Sequence, residues 1–317
     1  MKKLLGFDIG GTKCAVIFAR TNGGEFPEIL DKITFPTASC LSPDGVIEKL
    51  LNIAKNMTSI YGAADSAGIS CGGPLDSRRG IILSPPNLPG WDDIHITEAM
   101  SCALGIPVYL QNDANACALA EWKYGNGAGT QDFVFLTFGT GLGAGLILDG
   151  RLHVGKCDNA GEIGHWRMEQ FGPVGYGKAG SLEGFASGNG IAQLAHTKLA
   201  ELTQSGFSHP LSSHPDGITA KAVFDLARKG DPVCLEIVHT VGTMFGRGLA
   251  LMTDILNPEV IVAGSIFTRN YDLLCPIAEN ALRAEALSAS AAAVKLLPCK
   301  LDEHIGDYAA LTVALGN

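Results

Sequence analysis

The sequence predicts an α/β protein made of two similar halves around a cleft. Two stretches carry that prediction. "KLLGFDIGGTKCAVIFAR", residues 3–20, is an apolar run, a Gly-Gly turn and a second apolar run. "DFVFLTFGTGLGAGLILDG", residues 132–150, repeats the plan with a Gly-Thr-Gly turn. Around both, apolar runs of strand length alternate with helically spaced segments, the pattern of strand–helix units.

The elements follow in order. "KLLGFDIG" and "CAVIFAR" read as two strands joined by the first glycine turn, and "KITFP" as a third. "SPDGVIEKLLNIAKNMTSIYG" places Val46, Ile47, Leu50, Leu51, Ala54, Met57 and Ile60 at helical spacing behind a Ser/Asp start. "DSAGISCGGPLD" returns to a strand that ends in a glycine loop. "IPVYLQ" is a further strand and "ANACALAEWKYG" a helix. The second half opens with its own strand–turn–strand over 133–148. Helices follow around 219–229 and 232–256, then a strand in "EVIVAGSI", a helix near 271–287, a strand in "AVKLLP" and a last helix in "GDYAALTVAL". No low-complexity linker separates the halves, so they should be tightly coupled.

Bulk properties narrow the class. In 317 residues, 46% are hydrophobic and 17% charged, which describes a globular chain with a large core. A net charge of −9 argues against nucleic acid as the main partner. It leaves room for a phosphorylated ligand held by local donors. The nine cysteines are scattered, with no CxxC pair, and read as reduced thiols. The apolar start stops at Phe7, too short for a signal peptide, and no uninterrupted apolar stretch reaches membrane length. A cytoplasmic protein that binds neither membrane nor nucleic acid is expected.

Glycine costs roughly 0.5–1 kcal/mol relative to alanine inside a regular element. Yet "FGTGLGAG" carries Gly139, Gly141, Gly143 and Gly145. A turn with exposed N–H groups and no Cβ atoms can wrap an anion, and two such turns facing one cleft can hold a nucleotide's phosphates from both sides. Each turn alone is also compatible with a plain glycine-rich hairpin. Gly139, Gly141 and Ala144 match the dinucleotide fingerprint G-x-G-x-x-A, but that motif needs a helix directly afterwards, and a strand-like run follows. No G-x-x-x-x-G-K-[ST] occurs either.

"DIGGTK", "QNDANACALAEW", "FGTGLGAGLILDG", "AGEIGH" and "NPEVIVAGSI" together resemble the repressor–ORF–kinase (ROK) family of sugar kinases. The likeness runs from residue 8 to about 265. It implies a duplicated ribonuclease H-like fold of the hexokinase–actin–Hsp70 ATPase type. The smaller lobe is then expected to comprise 1–117 with 301–317, and the larger 118–300. It also implies ATP-dependent phosphorylation of a hexose at O6, with Mg2+ and a homodimeric assembly.

The same resemblance assigns roles. Asp113, where a strand meets a helix, becomes the general base; its plain alternative is a helix N-cap. Asn112 and Asn87 would contact the sugar, as would Glu162 and His165, which lie i, i+3 on one face of a helical turn, and Glu183. Asp8 would act near the metal. Gly10, Gly11, Thr12, Lys13, Gly139, Thr140, Gly141 and Gly264 would serve the nucleotide. Trp91 is compatible with a plain core role.

One departure stands out. Most family members carry CxCGxxGC before the "LE" glutamate and bind zinc there with the GH histidine. Here Val174, Tyr176 and Ser181 occupy the cysteine positions, and His165 alone cannot hold zinc. No zinc is expected. The family's repressors carry a winged-helix segment before the first glycine motif, whereas seven residues precede Asp8 here. A sugar-sensing regulator or a non-catalytic sugar sensor is the alternative to a kinase.

Overall fold

The computed structural model describes residues 1–22 and 26–316. Residue 317, the end of the expected small-lobe span, lies outside them. In the first half, strands β1 (Lys2–Ile9), β2 (Lys13–Thr21), β3 (Glu28–Pro36), β4 (Ser66–Cys71) and β5 (Val108–Asn112) form one sheet in the order β3-β2-β1-β4-β5. In the second, β6 (Phe133–Phe138), β7 (Leu142–Leu148), β8 (Arg151–Leu152), β9 (Val260–Ala263) and β10 (Lys295–Pro298) form another, in the order β8-β7-β6-β9-β10. The two orders are the same. Each sheet begins with an antiparallel meander and adds two parallel strands on the far side of its first strand. The duplication read from the two glycine hairpins is therefore a duplication of topology.

The helices include α1 (Pro43–Tyr61), α2 (Ile96–Leu104), α3 (Asp113–Tyr124), α4 (Leu182–Phe185), α5 (Gly188–Gln204), α6 (Ala220–Ala227), α7 (Pro232–Leu256), α8 (Tyr271–Glu285) and α9 (Ile305–Val313). α1 starts as its sequence predicts: the Ser42 hydroxyl accepts the Gly45 N–H, Pro43 sits at the first position, and Val46, Ile47, Leu50, Ala54 and Met57 face the core. α2 and α5 are not among the helices expected from the sequence. Among the described residues, no helix is long and apolar enough to cross a membrane.

Two helices join the halves. α9 lies on the first sheet, α3 lies on the second, and α3 and α9 pack against each other. Glycines make this closeness possible. A Cβ on Gly68 of β4 would strike the Ala310 carbonyl of α9. A Cβ on Gly145 of β7 would sit 2.5 Å from Ala118 Cβ and 2.6 Å from the Ala114 carbonyl oxygen of α3. Real Cβ contacts do not reach such distances, so β7 must carry glycine where α3 presses on it. Gly145 is thus a packing residue, and only the front of the glycine run forms the turn.

The last turn of α3 is tied to the C-terminal segment by Glu121. Its fully buried carboxylate accepts the N–H groups of Asn126 (3.0 Å), Lys300 (2.7 Å) and Leu301 (3.1 Å). A buried charge is tolerated when hydrogen bonds replace its water. This network holds the C-terminal end of α3, the helix whose first turn carries Asp113.

Candidate functional site

The cleft floor is where β5 becomes α3. Asn112 is the N-cap: its Oδ1 accepts the N–H groups of Ala114 (3.0 Å) and Asn115 (3.4 Å). The cap expected as the plain role of Asp113 therefore falls to its neighbour. Asp113 begins the helix, with Oδ1 accepting its own first-turn Ala114 N–H at 2.8 Å. Oδ2 makes no hydrogen bond among the described residues. The carboxylate opens onto the cleft yet is ringed by protein, and this burial pushes its pKa above the usual carboxylate range against the pull of the Ala114 N–H.

Asp8 ends β1 beside it. Burial, then the charges of Asp113 and Asp307, raise its pKa to about 7, while Lys13 and Lys32 oppose the rise. Asp307, near the start of α9, is buried and ion-paired to Lys32 at 2.7 Å. The sequence reading missed it. It lies 299 positions from Asp8, and the only local signal is an acidic residue at a helix start.

The two glycine turns approach this floor from opposite lobes. The first spans Gly10–Lys13, closed by Gly10 N–H to the Lys13 carbonyl at 3.1 Å. Gly11 has no room for a Cβ, which would come within 2.5 Å of the Asn87 carbonyl oxygen. The turn thus seats the Asn87 loop. The second turn is closed by Gly139 N–H to the Gly141 carbonyl at 3.0 Å. A Cβ on Gly141 would lie 2.7 Å from Glu183 Oε2, and that oxygen accepts the Leu142 N–H at 3.0 Å. Gly141, expected to serve the nucleotide, therefore also lies beneath a candidate sugar residue.

Three cavities run through the cleft. The central one, 550 Å³, is lined by Asp8, Gly10, Gly11, Thr12, Lys13, Asn87, Asn112, Asp113, Gly139, Thr140, Gly141, Glu162 and Glu183. It brings together all but two of the residues singled out from the sequence. His165 is one of the two. It lines an adjoining cavity of 380 Å³, which shares Glu162 and Glu183 with the first. Burial raises the Glu162 pKa; His165 opposes this, and Asp113 and Glu183 add to it. The other is Gly264, which is buried behind the site and donates its N–H to the Leu136 carbonyl at 2.9 Å. The next residue, Ser265, reaches a third cavity of 830 Å³ that shares Gly139 and Thr140 with the central one.

That third cavity contains an element the sequence reading missed. Helix α5, capped by Ser187, begins there with Gly188 and Asn189, and the Gly188 N–H donates to the Gly139 carbonyl at 2.8 Å. The start of a 17-residue helix thus abuts the second glycine turn and adds its positive end to the cleft. Asp158 was also missed. It lines the central cavity and accepts two hydrogen bonds from Ser77 across the cleft, from N–H at 2.9 Å and from the hydroxyl at 2.7 Å. Trp91 is core, as its plain reading expects.

The positions of the family's cysteines form a local structure of their own. Residues 174–175 and 178–179 make a small hairpin, and Tyr176 at its tip meets the His165 ring edge-on, 4.9 Å between centroids. Lys178 Nζ donates to the His165 carbonyl at 2.6 Å. Buried Ser181 caps α4 through the Gly184 N–H at 3.1 Å, one residue from Glu183. Among the described residues, no three His, Cys, Asp or Glu side chains are grouped to hold a metal.

Two topologically equivalent lobes with glycine turns facing across a carboxylate-floored cleft define the actin- and hexokinase-like ATPase fold. The comparisons narrow this further. The ROK family model matches residues 4–315, and the chain belongs to that family. It is 32% identical over 275 residues to a glucokinase of Thermotoga maritima, covering 86% of this chain and 84% of that one. It superposes with a TM-score of 0.79 and 26% identity on a ROK family glucokinase from Streptomyces griseus in complex with glucose and AMPPNP, covering 99% of this chain and all of that one. It is also 31% identical over 225 residues to the DNA-binding transcriptional repressor Mlc of Escherichia coli, covering 71% of this chain and 54% of the repressor.

Proposed function

We propose that the chain is an ATP-dependent sugar kinase that transfers the γ-phosphoryl group to O6 of a hexose, glucose or a related hexose or N-acetylhexosamine. The observation that carries this reading is one cavity that holds Asp113, Asp8, both glycine turns and the Glu162–Glu183 pair. Asp113 is the general base. Its free Oδ2 takes the hydroxyl proton, and its raised pKa moves it toward the working pH, where a base is most effective. Asn112 spends its carbonyl oxygen on the cap, which leaves its NH2 group for sugar hydroxyls. Asn87, Glu162, His165 and Glu183 hold the remaining hydroxyls.

ATP spans the central and third cavities, its phosphates at the Gly139–Gly141 turn and the start of α5. Gly10, Gly11, Thr12 and Lys13 supply donors from the other lobe. Such transfers rest on positioning and charge neutralisation. The donor set suits Mg2+, because Asp8 and Asp113 line one cavity and the acidic charge around Asp8 outweighs Lys13 and Lys32, and Mg2+ is commonly bound through one or two carboxylates plus water and phosphate oxygens. Asp8 would hold it, and the ion would neutralise charge on the phosphates.

The test is ADP release across a panel of hexoses and amino sugars. Sugar-dependent release that disappears in Asp113→Asn supports the reading. No release with any sugar, alongside tight sugar binding, would favour the sugar-binding regulator or sensor suggested by the likeness to Mlc. The reading includes a cytoplasmic homodimer, for which light scattering should give twice the chain mass of 33.1 kDa.

A further inference from the structure

A cavity of 840 Å³ lies outside the cleft and shares no lining residue with its three cavities. Three cations line it: Arg78 from the first-half loop, Lys123 from α3 and Arg151 from β8. No Asp or Glu lines it, in a chain whose net charge is −9. None of the three forms an ion pair among the described residues, which contain ion pairs at many other surface positions. The cavity wall therefore offers positive charge with no acidic side chain among its lining residues. Partial burial and the charge of Lys2 already lower the Lys123 pKa.

The cations come from three separate segments, and the rest of the wall is built for an organic body. The Trp122 indole is fixed in place, its Nε1–H donating to the Thr130 carbonyl at 2.8 Å. Arg78 is likewise held, donating to the Gly155 carbonyl at 3.2 Å. A monocarboxylate would neutralise one charge of three. A phosphate monoester carries nearly two charges and three acceptor oxygens, which suits two guanidinium forks and an ammonium.

We propose that this cavity binds a small organic phosphate, with its phosphate group among Arg78, Lys123 and Arg151 and its body against Trp122. The assignment does not depend on the kinase reading. Isothermal titration with glucose 6-phosphate, inorganic phosphate and glucose tests it, on the wild type and on Lys123→Ala/Arg151→Ala. The wild type should bind the ester more tightly than inorganic phosphate, and added salt should weaken it. The double variant should lose about tenfold or more in ester affinity, since each charge-assisted bond contributes about 1.5–3 kcal/mol. Its glucose binding and melting temperature should not change. Exposed Arg151→Glu is a second variant that leaves the core untouched and should show the same loss. Equal ester affinity in wild type and Arg151→Glu would place the ester in the cleft and overturn the proposal, as would the absence of ester binding at millimolar concentration.

Discussion

Replacing Asp8 with asparagine should stabilise the ligand-free protein above neutral pH while removing its ATP-dependent activity. The native carboxyl has its pKa raised from 3.8 to about 7, first by burial and then by Asp113 and Asp307. Between those two values the folded state keeps a proton that the unfolded chain has released. Stability therefore falls as pH rises through this window, and the loss is complete above about 7. At 1.36 kcal/mol per unit, three units set a ceiling of about 4 kcal/mol. Asp8 opens partly to the cleft, where water screens its charge, so roughly 1–2 kcal/mol is expected. Asparagine keeps the shape and carries no charge at any pH. An unfolding entropy of about 2.1 cal/mol/K per residue gives a chain of this length about 0.67 kcal/mol/K, so each kcal/mol moves Tm by about 1.5 °C. Calorimetry should find Asp8→Asn about 1.5–3 °C more stable than wild type at pH 8, with the gain shrinking as pH falls through about 7, and close to it at pH 3.8. A variant less stable at pH 8, or a gain of the same size at both pH values, would refute the charge argument.

Asp113→Asn should lower kcat by about 10²–10⁴-fold while leaving sugar Kd nearly unchanged, since the amide keeps the shape but cannot take the proton; near wild-type turnover would remove Asp113 as base. Gly141→Val should raise KM for both ATP and sugar, because the new side chain displaces Glu183 as well as narrowing the phosphate turn; steady-state kinetics that show an effect on one substrate alone would contradict this. Tyr176→Ala should raise sugar KM by about 2–12-fold, the equivalent of the roughly 0.5–1.5 kcal/mol of an edge-on aromatic pair, without changing KM for ATP. Metal analysis should find no stoichiometric zinc; one zinc per chain retained through dialysis would require a ligand set other than positions 174, 176 and 181.

The parts of the site that the sequence makes legible are those whose cause is local. A hairpin needs its turn residues at fixed spacing, so "DIGGTK" and "FGTGLG" announce two equivalent turns, and the equivalence of their sheets follows. "QNDAN" announces a strand-to-helix junction for the same reason. What stays hidden depends on partners far along the chain. Gly141 and Gly145 look alike in sequence, yet one makes room for Glu183 and the other for α3. Helix α5 is obscured by Gly188 and Gly190, poor helix formers; but a Cβ on Gly190 would strike the Gly184 carbonyl, so the glycine there is imposed by α4. Asp307 becomes relevant to Asp8 only once α9 lies on the first sheet. The zinc positions illustrate the same division. The loss of three cysteines is visible in the sequence, but the contacts around His165 are not. They require the hairpin that brings Tyr176 onto the ring and Lys178 onto its carbonyl. If that hairpin takes over the task of holding His165 beside Glu162, sugar affinity should follow the Tyr176–His165 contact rather than any metal.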